Sequence, residues 1–206
     1  MGIALWNIVA YVVHMTAAKQ VKLLSVDEYL AGELASNIRH EYSGGQVYAM
    51  AGAKTVHNRI AANWLVAVGR RLEGKPCEPF GPDMKIRVRL PAHTRFYYPD
   101  GMVVCEPNPA DHLFQDRPVI VAEVVSDTTR RIDESEKREA YLTIPTLIAY
   151  LIIETDRPRV VVHRRTDDGF AAEAYEGLES TIHLEAIQSD LPLVELYARV
   201  KFGPVS

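Results

Sequence analysis

Glu123 is the first residue that asks for an explanation. It stands inside Val119-Ile120-Val121-Ala122-Glu123-Val124-Val125, a run with the length and β-branched composition of a buried strand. An ionised carboxylate among such neighbours is costly unless it meets a cation or hydrogen-bond donors. Asp100 lies 23 positions earlier in Tyr98-Pro99-Asp100, at the head of a second apolar run, Gly101-Met102-Val103-Val104. Two carboxylates on neighbouring strands suit a hard divalent cation, which takes oxygen ligands and keeps several waters. Beyond Glu123, the residues Asp133, Lys137 and Tyr141 recur at i, i+4 and i+8, with Ala140 and Ile144 on the same stripe. The apolar members turn that stripe inward, so Lys137 is expected to face the interior or a cleft. Asp100, Glu123 and Lys137 then form a set for phosphodiester hydrolysis. The acids hold a metal, and the lysine steadies the attacking water or the developing charge. Two structural readings compete with this one: a buried Glu123–Lys137 ion pair, and a plain Asp133–Lys137 pair along the helix.

Those residues belong to a longer pattern. In order come Arg39-His40-Glu41-Tyr42, Gly45-Gln46-Val47-Tyr48-Ala49-Met50-Ala51-Gly52, His57-Asn58-Arg59-Ile60-Ala61 and Tyr98-Pro99-Asp100. Glu123-Val124-Val125-Ser126-Asp127-Thr128-Thr129 follows, then Asp133, Lys137, Tyr141 and Ile144-Pro145. On this pattern, which covers most of the chain beyond Met15, the sequence resembles the Uma-two family of bacterial endonucleases in the PD-(D/E)XK nuclease superfamily. The resemblance implies a restriction-endonuclease-like fold and cleavage of DNA with Mg²⁺ or Mn²⁺. It implies Asp100 and Glu123 as the metal ligands and Lys137 as the third catalytic residue, with Glu41 and His57 as accessory groups. Asp133 and Tyr141 join the accessory set from their stripe. By analogy with such families, a homodimer is expected. One departure stands out: the superfamily's lysine normally follows the second acid by two residues, and Val125 occupies that position. Lys137 on the next helix takes its role in the family that the sequence resembles. The alternative function is a catalytically silent module on the same fold that binds nucleic acid or a partner.

Lys85, Arg87 and Arg89 alternate with Met84, Ile86, Val88 and Leu90, so the three cations share one face of a strand. That stripe is expected to track phosphates, against the simpler reading that it keeps an exposed strand from pairing with another. Pro82-Asp83 also precedes a strand and is the competing acid, but Asp100 has the better spacing to Glu123. GxGxxG, Walker, HExxH and GxSxG motifs are all missing from the sequence.

The elements that must position these groups follow from periodicity. Ser25 and Glu28 form a capping box for a helix over 25–34. A strand over 46–50, an amphipathic helix over 57–72 and strands over 84–90, 96–105 and 119–125 follow. A helix over 128–143 stops before Pro145, strands cover 149–153, 159–165 and 170–175, and a helix over 193–200 closes the chain. The order predicts an α/β (mixed α+β) domain over 15–206, with a central mixed β-sheet flanked by helices. Residues 1–14 form an apolar leader shorter than the roughly 20 residues of a spanning helix. Met15 reads as the natural start behind it.

With 206 residues, 48% hydrophobic and 24% charged, the composition excludes a disordered chain and a fibre. A net charge of -4 means that any DNA binding must come from local cations. Cys77 and Cys105, without CxxC spacing, imply neither zinc nor a disulfide framework, and a reducing cytoplasm with no membrane contact is the expected setting.

Overall fold

The computed structural model describes residues 23–125 and 133–203. The leader 1–14, residues 126–129 of the quoted pattern and the Asp133 side chain lie outside what it describes. Ser25 caps α1 (Val26–Ala35): Glu28 N donates to Ser25 Oγ at 3.1 Å, and Ser25 N donates to Glu28 Oε2 at 2.8 Å. β1 (His40–Ser43) and β2 (Gln46–Ala49) form a hairpin whose turn residues Gly44 and Gly45 have φ of 56° and 98°. Then come α2 (Thr55–Leu72), β3 (Glu78–Phe80), β4 (Lys85–Arg89), β5 (Thr94–Tyr97), β6 (Gly101–Val104), β7 (Phe114–Gln115) and β8 (Pro118–Val125). A π-helical turn (Asp133–Lys137) runs directly into α3 (Arg138–Leu142). β9 (Ala149–Glu154), β10 (Arg159–Thr166), β11 (Gly169–Glu176), β12 (Thr181–Leu184), β13 (Ser189–Pro192) and α4 (Leu193–Leu196) complete the order.

Six strands form a mixed sheet in the order β11-β10-β9-β8-β6-β3, with β8 and β9 parallel and the other neighbours antiparallel. Its β8 strand has buried neighbours on both faces, which explains the near-continuous apolar run. Ile120, Ala122 and Val124 pack with Ile60, Trp64 and Val68 of α2. Val121 and Val125 pack with Ala140 and Tyr141 of α3 and with Ile144 just beyond it. Glu123 alternates with Val121 and Val125, so it faces α3. Gly101 is dictated by the α2 side: a Cβ there would come within 2.2 Å of the Trp64 ring.

A second sheet, in the order β2-β1-β5-β4-β7, carries α1 on an aromatic cluster of Tyr29, Tyr42, Phe96 and Phe114. The strand expected over 96–105 is therefore two strands in two sheets. β5 pairs with β1 and β4, whereas β6 pairs with β3 and β8. The break falls at Tyr98-Pro99-Asp100, where Pro99 has no N–H to continue a ladder. The closing helix is shorter than the expected 193–200 because the chain leaves helical geometry, reaching φ 63° at Arg199. β1 was not anticipated, and α2 begins two residues earlier than expected.

The cysteines correct the expectation drawn from their spacing. Glu78 pairs with Val104 across β3 and β6, which brings Cys77 opposite Cys105, and the two form a disulfide. The sequence separation of 28 closes a loop that restricts the unfolded chain, a contribution of about 3–4 kcal/mol in the chain-entropy account. Among the described residues no helix is long and apolar enough to cross a membrane.

Candidate active site

Pairing of Gly101 with Ala122 brings Asp100, one residue before β6, level with Glu123 on β8. Asp100 Oδ2 accepts the Val124 N–H at 2.8 Å and lies 3.2 Å from His57 Nε2, in the first turn of α2. Glu123 Oε1 accepts the Tyr141 hydroxyl at 2.9 Å and the Lys137 ammonium at 3.3 Å. Lys137 Nζ also lies 3.0 Å from Glu41 Oε1 on β1, and Glu41 Oε1 accepts the Tyr98 N–H at 3.4 Å. The sheets therefore meet at this point, with Glu41 contributed by one and Glu123 by the other.

Lys137 ends the π-helical turn and Tyr141 stands one helical turn on, which lets both reach the same carboxylate oxygen. Tyr141 is fully enclosed, with edge-on contacts to Tyr97 and Tyr150. Burial, and then the charge of Glu123, push its phenol well above the usual range, so it remains a permanent donor to the acid. Tyr97 adds a ring face 5.6 Å from Lys137 Nζ. That ring is held by Arg95, which donates to its hydroxyl at 2.9 Å, and by Glu136, which accepts from it at 3.1 Å.

Among the described residues, three carboxylates thus surround one ammonium and one imidazole. Among the described residues no group of three His, Cys, Asp or Glu gathers into a metal cage. Asp100 and Glu123 remain as a two-carboxylate oxygen set, which is how Mg²⁺ is commonly held, with waters and substrate oxygens filling its octahedron. The donor chemistry fits Mg²⁺ or Mn²⁺ and does not fit a closed four-ligand zinc site.

Of the residues singled out from sequence, Asp100, Glu123, Lys137, Glu41, His57 and Tyr141 come together here. Lys85, Arg87 and Arg89 do not join them and do not form an open phosphate track. Lys85 is buried, 3.0 Å from the Tyr98 hydroxyl and 3.9 Å from Glu33 Oε2. Arg87 makes a two-pronged pair with Asp116, both contacts at 2.7 Å, and its guanidinium lies 4.1 Å from the Phe114 ring centroid. Only Arg89 of the three is well exposed. The alternation was read correctly, but on the face it defined Lys85 and Arg87 lie against Glu33, Phe114 and Asp116 rather than in solvent. Asp83 pairs with Arg39 at the surface and takes no part in the site.

Sequence reasoning missed Tyr97, Arg95 and Glu136. It also missed a second cluster of similar composition. Glu33 Oε2 accepts the Tyr98 hydroxyl at 2.6 Å, and Glu33 Oε1 meets His40 Nδ1 at 2.8 Å. Burial pushes the Glu33 carboxyl up, but the bonds from Tyr98 and His40 outweigh it and hold the group below its ordinary value. Burial lowers Lys85 despite the pull of Glu33.

Residues 26–194 match the family model described as "Putative restriction endonuclease", Uma2. The chain is similar to two proteins of Synechocystis sp. described as uncharacterized, slr1290 and sll1609. The first is 32% identical over 71% of this chain and 76% of its own length, the second 30% identical over 75% and 88%. A crystal structure from Anabaena variabilis, described as a putative nuclease belonging to DUF820, superposes with a TM-score of 0.66. It is 13% identical, over 85% of this chain and 98% of that one, a likeness of fold. The chain belongs to the Uma2 family and carries the restriction-endonuclease-like fold.

Proposed function

We propose that this protein is a metal-dependent DNA endonuclease, with Asp100 and Glu123 holding Mg²⁺ or Mn²⁺ and Lys137 as the catalytic cation. The observation that carries the reading is the buried lysine 3.3 Å from one acid of a facing acid pair and tethered by a third acid, Glu41, at 3.0 Å. A bound divalent ion would supply Lewis-acid polarisation of the phosphodiester. The chain's own groups do the rest. Tyr141 fixes the orientation of Glu123, and the contact with His57 and the Val124 N–H fix Asp100. Lys137 has an ammonium on a flexible stem with three donors, so it can turn towards an attacking water or the developing charge while Glu41 keeps it in the cleft. The family match and the shared fold with a protein described as a nuclease support the choice of a phosphodiester substrate.

The test is calorimetric titration of Mg²⁺ and Mn²⁺, followed by plasmid cleavage, with wild type and the Asp100→Asn/Glu123→Gln double variant. Metal binding and cleavage by wild type alone are expected. Cleavage that survives in the double variant overturns the assignment of the acids. A second reading is favoured by the Glu41–Lys137–Glu123 contacts, which already neutralise part of the cluster: a silent binding module held together by that ion-pair network. It expects salt-sensitive DNA binding and no cleavage with any divalent ion.

A further inference from the structure

Between the end of α1 and the segment leading into α2 lies an open cavity of about 270 Å³, lined in part by Glu33, Asn37, Arg39, Met50, Gly52 and Tyr98. We infer that this cavity receives one unstacked nucleobase of a DNA strand whose backbone lies at the acid–lysine site. The inference rests on the endonuclease reading and adds a base-recognition subsite to it.

Three features carry it. The first is location. Tyr98 borders the cavity while its backbone N–H donates to Glu41, and Asp100 stands two residues further along the chain. Two residues of extended chain span about 7 Å, roughly the reach of one nucleotide. Gly52, which also lines the cavity, leads into the helix that carries His57. The second is shape and surface. The volume lies below the roughly 300–1,000 Å³ of pockets for drug-sized ligands, so it suits a single ring system. Its lining residues include Tyr98, Arg39, whose guanidinium lies 5.8 Å from the Tyr98 ring centroid, and Met50, residue types that pair well with a planar π system. The third is electrostatics. The Glu33 side chain is only 5% exposed, and its carboxylate repels a phosphate but accepts from an exocyclic amino group. The exposed Asn37 amide adds a donor and an acceptor at the rim. Adenine, cytosine and guanine carry such amino groups and thymine does not, so the cavity discriminates against thymine.

The experiment uses short single strands carrying 2-aminopurine, thymine or an abasic residue at one position, with Ca²⁺ present, and reads affinity by anisotropy. Gly52→Leu adds a branched side chain at the cavity lining, where a Cβ meets nothing within 4 Å and so causes no clash. Wild type should bind the 2-aminopurine strand at least tenfold more tightly than the abasic one, with thymine in between, and Gly52→Leu should abolish the difference. Equal affinity of wild type for all three strands overturns the subsite. Base-dependent binding that persists in Gly52→Leu also overturns it. Cleavage of the same strands with Mg²⁺ separates the two readings. Cleavage with base-independent binding sinks the subsite alone, and base-dependent binding without cleavage sinks the endonuclease alone. Binding to no strand overturns the subsite as well.

Discussion

The two carboxylate–lysine–tyrosine clusters on either side of Tyr98 use nearly the same residue types for different ends. Around Glu33, one buried carboxylate meets one buried ammonium, Lys85, with the Tyr98 hydroxyl between them and His40 at the other oxygen. Charge there is matched and both Glu33 oxygens already have hydrogen-bond partners, although the residue also borders the open cavity. Around Glu123, among the described residues, the acids Asp100, Glu123 and Glu41 outnumber the ammonium of Lys137. Under the proposed endonuclease reading, residue identity does not separate the structural cluster from the chemical one; the charge balance among the described residues does. A matched cluster lowers the cost of burying its own ions, whereas a surplus of acid is stabilised by a cation from outside.

Several changes would break or sharpen that contrast. The largest effect is expected from Lys137→Ala, which should lower Mg²⁺-dependent cleavage by about 100- to 1,000-fold, the usual loss when a preorganised electrostatic donor is removed. Single-turnover kinetics on a plasmid would measure it, and near-normal rates would remove Lys137 from the chemistry. Next comes a paired test of stability. Glu33→Gln leaves Lys85 buried beside a neutral amide and should destabilise by about 3 kcal/mol. Glu123→Gln leaves Lys137 its contact with Glu41 at 3.0 Å and should melt no lower than wild type while losing cleavage. Urea titrations of both variants decide the point, and equal destabilisation would erase the distinction between the clusters.

A smaller effect depends on pH. Burial pushes the Asp116 carboxyl up, but hydrogen bonds from Arg87 and Asn108 outweigh it and hold the group below its ordinary value of 3.8. Because the folded value is the lower one, its stabilisation is present above pH 3.8 and disappears as pH falls through the folded value. Asp116→Asn should therefore flatten the decline of Tm on the acid side of 3.8, and an unchanged acid limb would show that Asp116 is not linked to folding. Smallest of all, Arg89→Ala should change stability by less than about 0.5 kcal/mol. Its slope of log affinity against log salt for DNA should fall by one phosphate contact at most; a larger drop would restore the strand-wide basic track.

The sequence carried the site best where burial made polarity expensive. Glu123 stood out because seven neighbouring positions read as a buried strand, and Lys137 with Tyr141 stood out because a four-residue step keeps both on one helical face. Both are local signals. Glu41 owes its role to a contact across 96 positions of chain, which no periodicity encodes, and only the family resemblance pointed to it. The burial of Lys85 has a related cause: alternation says which side chains share a face, but what covers Lys85 on that face is Glu33 of α1, about fifty residues away in sequence. Likewise the disulfide follows from the β3–β6 register, a pairing that spacing alone does not reveal.

The short crossover at Tyr98-Pro99-Asp100 has a mechanical consequence. The two sheets share this stretch of backbone, so it acts as a fixed pivot whose two arms are held by different ladders. The Tyr98 hydroxyl is anchored to Glu33 and its backbone to Glu41, while Asp100 is anchored to β8 and α2. A push on one sheet cannot be absorbed by a loose loop before it reaches the acid. Loosening Tyr98, as in Tyr98→Phe, is then felt as misalignment at Asp100, and assays of such a variant report leverage through the pivot rather than any chemistry of the phenol.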